Sequence, residues 1–370
     1  MRIGITGQEG FVGSHLTNYL ELQEGVELVP YDISYFQNPD ALTRFAGQCD
    51  AVVHLAGVNR HADPNELYQI NLELTERLIA ACDAAGHHPH VLFSSSTQEE
   101  RDNLYGRSKR DSRLRFEEWA ARTGATFNGL IIPNVFGPFG RPKYNSVTAT
   151  FCHQVTHGIE PTVHDRSSPL EMIHTNELVS DIWDLLQRKE SGTVRLAPRH
   201  FMTVGELVDK LLHYRATYME RDTFPDLSNP TDLVLFNTFR CYIPYDFYPR
   251  PYTKHTDPRG SFVEITRAQT PGQSSYSTTA PGITRGNHFH TRKAERFAVI
   301  RGKARIQLRR IGTNEVINYD IDGEKPAYVD MPIWHTHNLI NTGDEELITL
   351  FWINEPYDPA DPDTYYVDVE

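Results

Sequence analysis

Apolar positions follow two regimes along the chain. In the first, short apolar runs alternate with stretches of helical period. Met1–Thr6 reads as a strand, the residues from Gly10 through His15 and Leu20 as a helix, and Glu27–Tyr31 as a second strand. Asp50–Gly57 follows as a third strand with its turn, Glu66–Ala85 as a helix and His90–Phe93 as another strand. This βαβα alternation predicts an α/β fold with a doubly wound parallel sheet and a ligand at the carboxyl ends of its strands. Between Ile173 and Arg240 the pattern is helical, with Gly205–Tyr214 the clearest helix. In the second regime short alternating runs dominate: Ser261–Thr266, Glu295–Ile300, Ala304–Arg309, Val316–Ile321 and Leu347–Ile353. They predict a small all-β barrel. The segment CYIPYDFYPRPYTKHTDPRG, dense in Pro and Tyr, breaks every period and reads as the connection, so the expected domains are 1–246 and 247–370. A length of 370 residues fits two such domains.

The turn after the first strand, Gly7-Gln8-Glu9-Gly10-Phe11-Val12-Gly13, carries glycines where a dinucleotide requires them. Gly7 permits the tight turn, Gly10 lets the backbone approach a pyrophosphate, and Gly13 lets the helix pack closely on the strand. The helix N-terminus favours the anion. Such a turn alone also serves helix packing, and the elements around it favour the cofactor. Asp32 closes the second strand where a carboxylate would bind the adenine ribose hydroxyls, which favours NADH over NADPH. Phe11 and Val12 at the helix opening, with Leu55, Ala56 and Gly57 at the third strand's turn, complete the expected coenzyme contacts of a Rossmann-type domain.

Ser94-Ser95-Ser96 sits at a strand end, and Tyr105-Gly-Arg-Ser-Lys109 opens the next helix with its phenol and ammonium on one face. An ammonium beside a phenol stabilises phenolate, which predicts a Tyr105 that exchanges its proton near neutrality rather than near its reference value of about 10. Together these residues resemble the extended short-chain dehydrogenase/reductase family of nucleotide-sugar epimerases, dehydratases and reductases. The resemblance implies that Ser96 orients a carbonyl, Tyr105 donates or accepts a proton and Lys109 holds the nicotinamide ribose. It also implies that Asn134, in PNVFGP, meets the sugar nucleotide. Two departures stand out. Ser96 precedes Tyr105 by nine residues only, so Thr97 competes for the hydroxyl role, and Leu170 occupies the place of the arginine that usually precedes the Ile-His pair. Arg166 becomes the candidate diphosphate contact.

The stretch GITRGNHFHTRKAERFAVIRG holds the second candidate chemistry. His288 and His290 are two apart, which on a strand turns both imidazoles to one face, and Glu295 follows after a gap that suits a hairpin. His337, in MPIWHTHNLIN, can supply a fourth ligand. Three imidazoles with one carboxylate suit zinc, and iron, nickel or manganese also fit. The spacing of Gly282, His288, His290, Glu295 and Gly302 resembles the first cupin motif at every position. Pro332, His337 and Asn341 match the second, with Trp334 in place of its usual glycine. The alternative is a metal-free cupin whose histidines act as acid and base.

A formal charge of -13 and a pI near 5.7 exclude a binder of bulk nucleic acid. Cys49, Cys82, Cys152 and Cys241 lie far apart without CxxC pairing and read as ordinary buried thiols of a reducing compartment. With no leader-like start and no apolar run of the ~18 residues a span needs, a cytoplasmic protein without membrane contact is expected. The domain order, with NLYGRSK, NSVTATFC, DPRGSF, GITRGNHFH and PDTYYVDVE, resembles the CapF-type family of bifunctional capsular-polysaccharide enzymes. That resemblance implies a UDP-linked 4-keto-6-deoxy N-acetylhexosamine substrate, C3 epimerisation at the cupin, C4 reduction at the dehydrogenase domain and a homodimer. It implies NADPH, against Asp32, so the coenzyme is NADPH or NADH. Lys293 and His335 are the candidate proton shuttles of the cupin. The rival readings are a single-function epimerase or dehydratase with a structural cupin, and a non-catalytic sugar-nucleotide sensor. Dehydration is disfavoured by Gln98-Glu99, which lacks the aspartate of the family's acid pair.

Overall fold

Strands buried on both faces need continuous apolar runs, and the first regime of the sequence supplies them. In the computed structural model, which describes all residues Met1–Glu370, they form one parallel sheet. Its strands are β1 (Arg2–Thr6), β2 (Glu27–Val29), β3 (Ala51–His54), β4 (His90–Ser96), β5 (Phe127–Ile132) and the strand Gly192–Arg195. The order is β2-β1-β3-β4-β5 and then Gly192–Arg195, every pairing parallel. The chain reverses its direction of winding at β1, so the crevice between the carboxyl ends of β1 and β3 is the switch point where such sheets bind ligands. Four helices, α1 (Phe11–Leu20), α2 (Pro39–Gln48), α3 (Pro64–Ala85) and α4 (Leu104–Thr123), cover it together with Thr175–Arg188. Val52, Phe45, Leu78, Phe93, Phe116 and Trp119 fill one face of the sheet, and Ile3, Ile5, Leu16, Val53, Leu92 and Ile182 fill the other.

Local capping starts the helix that carries the candidate acid. Asn103 accepts a hydrogen bond from the Gly106 amide at 2.8 Å, and Gly124, at φ 75°, ends the helix in the left-handed conformation. The Ile173–Arg240 stretch is less helical than its periodicity suggests, because Gly192–Arg195 and His200–Thr203 are strands.

The second regime forms two antiparallel five-stranded sheets. One runs Arg250–Pro251, Ala327–Met331, Glu295–Arg301, Leu347–Ile353, Gln273–Thr279, and the other Val316–Asp322, Lys303–Arg310, His335–Asn341, Thr284–Phe289, Tyr365–Tyr366. The contacts divide the chain into Met1–Ser146 with Pro169–Met202, and Val147–Ser168 with Thr203–Glu370. The compact units therefore do not separate at residue 246. Helical residues group with the β strands because Tyr218 Oη donates to Asp330 Oδ2 at 2.6 Å, Phe224 stacks on Trp352 with centroids 4.3 Å apart, and Arg240 donates to the Met331 carbonyl at 3.0 Å. Cys49, Cys82 and Cys152 are buried thiols as expected, whereas Cys241 is only half-buried. No helix is long and apolar enough to cross a membrane.

Candidate functional sites

The sheet gathers the expected coenzyme residues at its carboxyl edge. Gly7 has φ 78°, and a Cβ on Gly13 would lie 2.1 Å from the Gly7 carbonyl oxygen, so both glycines are sterically required. Gly10 caps α1 without a side-chain hydrogen bond, and the first turn holds no acidic residue. The amides and positive end of the helix are thus left for an anion, which fits the pyrophosphate of a dinucleotide. Phe11, Val12 and Gly13 open α1. Leu55, Ala56 and Gly57 follow β3, the Leu55 amide donating to the Thr6 carbonyl at 3.1 Å. Asp32 is exposed and accepts from the Ser34 amide at 2.8 Å, and hydrogen bonds from the Ser34 hydroxyl and then this amide lower its pKa.

Tyr105 and Lys109 share a face of α4, one turn apart. Lys109 is only 5 % exposed; its Nζ donates to the Ser94 carbonyl at 2.9 Å and lies 5.1 Å from the Phe93 ring centroid. Burial with no carboxylate partner lowers its pKa to about 8. Here the structure corrects the expectation of a near-neutral phenol. Burial pushes Tyr105 up to about 12, and the ammonium, 6.0 Å from the phenol's ring centroid and turned to Ser94, does not counter it. Tyr105 is a protonated phenol at neutral pH. Ser96 Oγ accepts from the Gln98 amide at 3.2 Å and caps the following turn. Glu99 is bonded by Ser95 Oγ and by Arg113 at 2.9 and 3.1 Å, so its carboxylate is committed.

In the second unit His288, His290, Glu295 and His337 place their donor atoms within 4.8 Å of one another. The strand Thr284–Phe289 brings His288 directly opposite His337 after a bulge between Gly286 and His288. His290 lies just beyond that strand, and Glu295 starts a strand of the facing sheet. The donors therefore meet between the two sheets. Carbonyl oxygens accept only, so the bonds of His290 Nδ1 to Asp363 O at 2.5 Å and of His337 Nδ1 to His335 O at 3.1 Å put protons on Nδ1 and turn both Nε2 atoms toward Glu295 Oε2, at 3.1 and 3.4 Å. Burial, then His337, lowers His288 to about 4. Burial opposes a charged Glu295, but the bond with His290 at 3.1 Å and the nearby His337 imidazole outweigh it and hold the carboxyl far below its usual range. His337 Nε2 is buried, 3.4 Å from Glu295 Oε2 but without hydrogen-bond geometry to any partner. An orphaned imidazole nitrogen among two more imidazoles and a carboxylate fits a divalent cation of the zinc class. Trp334, at the usual glycine position, has φ 59°, the left-handed conformation a glycine would take; its amide donates to the His290 carbonyl at 2.8 Å, and its ring stacks on Phe289.

Other expected residues are engaged elsewhere. Asn134 is exposed at the start of a strand paired to Pro169–His174. Arg166 binds both oxygens of Asp209 at 2.7 and 2.8 Å, which neutralises the charge assigned to a diphosphate. Lys293 Nζ donates to the Pro362 carbonyl at 2.7 Å, and His335 Nε2 pairs with Tyr245 Oη at 2.9 Å; neither belongs to the four-donor cluster. Asp363 was not singled out from sequence, since its contacts span some seventy positions of chain.

Comparison with known proteins agrees with this arrangement. Residues 3–200 match the NAD dependent epimerase/dehydratase family, and residues 255–365 match the polysaccharide biosynthesis C-terminal domain. The chain is 35 % identical over 368 residues, 99 % of its own length and 98 % of the relative's, to the UDP-2-acetamido-2,6-beta-L-arabino-hexul-4-ose reductase of Pseudomonas aeruginosa. It is 33 % identical, with a TM-score of 0.63 and full coverage of both chains, to the capsular polysaccharide assembling protein CapF of Staphylococcus aureus. The structure of RMD from Pseudomonas aeruginosa complexed with NADPH, at 24 % identity and a TM-score of 0.54 over 58 % of this chain and 82 % of that one, shares the fold of the sheet unit. The chain belongs to the NAD dependent epimerase/dehydratase family and, within it, to the two-domain CapF type.

Proposed function

We propose that the chain is a bifunctional nucleotide-sugar enzyme. It reduces C4 of a UDP-2-acetamido-4-keto-6-deoxyhexose with NADPH or NADH at Ser96, Tyr105 and Lys109, and epimerises C3 at His288, His290, Glu295 and His337. The functional boundary lies near residue 246, the second domain is a cupin, and the working form is a homodimer on the route to N-acetyl-L-fucosamine of capsule or O-antigen. The observation that carries the reading is the four-donor cluster, in one chain with the Tyr105–Lys109 pair. The P. aeruginosa relative supports the substrate class by its name.

A bound nicotinamide would supply hydride, and a cation bound by the four donors would supply Lewis acidity that makes the proton beside a carbonyl acidic. Tyr105, protonated because burial raises it, gives its proton to O4 as C4 is reduced, while Ser96 orients that oxygen. The Lys109 ammonium holds the nicotinamide ribose. Glu99, fixed by Ser95 and Arg113, lacks the freedom of a dehydratase acid, which weighs against the single-function dehydratase. The test is incubation with the UDP-4-keto sugar in heavy water, first without coenzyme and then with it. Deuterium should enter C3 without coenzyme, and a C3-deuterated 4-hydroxy product should form with it. Exchange without reduction would leave an epimerase, reduction without exchange a structural cupin, and neither a sensor.

A further inference from the structure

The last ten residues lie along the four-donor site, and their contacts concentrate on Asp363. This residue is 2 % exposed and has φ 43°, left-handed for a residue with a side chain. Its Oδ1 accepts from the Thr291 amide at 3.0 Å and the Thr291 hydroxyl at 2.7 Å. Its Oδ2 accepts from the amides of Arg292 at 3.0 Å and Lys293 at 3.2 Å. The same residue's carbonyl accepts from His290 Nδ1 at 2.5 Å. Asp363 thus grips every residue from His290 to Lys293, the turn that spaces the donor His290 from the donor Glu295. Beyond it the chain pairs with the strand carrying His288: Tyr366 opposite His288 and Tyr365 opposite Phe289, with the Val367 amide on the Asn287 carbonyl at 2.9 Å.

We infer that Asp363 is a positioning residue of the metal centre, and that the segment 361–370 it anchors is a strap that holds His290 and His288 at ligating distance. The inference rests on the metal reading above. A backbone conformation of that kind costs roughly 1–3 kcal/mol and persists only where its surroundings over-determine it. Here it aims the carboxylate at three consecutive residues and the carbonyl at an imidazole. Four donors to one carboxylate make a rigid turn, and the carbonyl fixes the tautomer that presents Nε2. Partners of this kind typically govern metal affinity by about 10–100-fold.

The experiment uses the full chain and Zn²⁺ alone, with affinity read by competition against a chelating dye and the unfolding midpoint of the metal-free protein measured beside it. Asp363→Asn replaces an acceptor by a donor facing the Arg292 and Lys293 amides and should weaken Zn²⁺ by about 10–100-fold, with coenzyme affinity unchanged. Arg309→Gln loosens the far end of the strap, where Arg309 Nε donates to the Val369 carbonyl, and should leave Zn²⁺ affinity at the wild-type value. If Asp363→Asn does not fold, Thr291→Val removes one donor only and should weaken Zn²⁺ several-fold. Equal affinity in wild type and the turn variants, whatever the midpoints do, overturns the inference while the metal reading stands. An equal loss in Arg309→Gln makes the effect general instability and also overturns it. Wild-type protein that takes up no Zn²⁺ overturns both.

Discussion

The two candidate sites each bury charge, and they treat it in opposite ways. Lys109 carries its ammonium into the sheet unit with only a carbonyl and an aromatic face for company, and its pKa falls to about 8. Glu295 carries its carboxylate between two sheets among three imidazoles, and its pKa falls far below the usual range although burial alone would raise it. The same unit buries Arg296 against Asp330 at 2.7 and 2.8 Å, with Tyr218 on the second oxygen. The charges of Glu295 and Arg296 are compensated within the fold, whereas that of Lys109 is left for a ligand. The contrast separates a site ready to stabilise a passing negative charge from one built to hold a permanent positive one.

The largest test divides the two chemistries. Tyr105→Phe removes the half-buried phenol one turn from Lys109 and should lower the rate of coenzyme oxidation by about 10²–10⁴-fold, the usual worth of a general acid. Deuterium exchange at C3 should continue at the wild-type rate. Coenzyme oxidation near the wild-type rate would remove Tyr105 from the mechanism, and lost exchange would mean that the two sites are not chemically independent.

Next come two charge deletions of opposite expected sign. Asp330→Ala leaves Arg296 buried and unpaired, and should destabilise the β unit by about 3–5 kcal/mol in denaturant titration. Lys109→Met removes a buried charge that the fold does not compensate, and should raise stability at pH 7 by on the order of 1–3 kcal/mol while abolishing reduction. The pH dependence follows from the lowered pKa. Below about 8 both folded and unfolded chains are protonated at Lys109, and the folded one bears the burial. From about 8 toward 10.5 the folded chain loses the proton first, so stability from this group climbs across that window while activity that needs the ammonium declines. The Met variant should show neither trend. Destabilisation by Lys109→Met at neutral pH would dissolve the contrast.

Legibility from sequence divides along the same line. The Gly7–Gly13 turn, Asp32, β4 and the Tyr105–Lys109 pair are contiguous signals, and the sheet and its switch point followed from them. The four donors were legible because their spacing is itself a motif. What escaped was set by long-range burial: the rise of Tyr105 instead of its fall, the capture of Arg166 by Asp209, and the grip of Asp363 on a turn seventy residues earlier. Trp334 shows the limit from the other side. A glycine signal is missing, yet the backbone takes glycine's conformation because ring stacking on Phe289 and the bond to His290 hold it there.

The smallest effect probes the coenzyme end, where a third charge is neither buried nor compensated by a cation. Asp32 stands exposed after β2, its carboxylate accepting from the Ser34 hydroxyl and amide. Those bonds, the hydroxyl's first, lower its pKa, so the group is ionised at neutral pH. Facing an adenosine ribose, it would bind the 2′-hydroxyl and repel a 2′-phosphate. Asparagine retains the acceptor that caps the turn and removes the charge, so Asp32→Asn should leave the fold and the C3 exchange intact. The ratio of kcat/KM for NADPH to that for NADH should rise by about tenfold. An unchanged ratio would mean that Asp32 is only a turn cap, and that coenzyme choice is made by residues elsewhere along the carboxyl edge of the sheet.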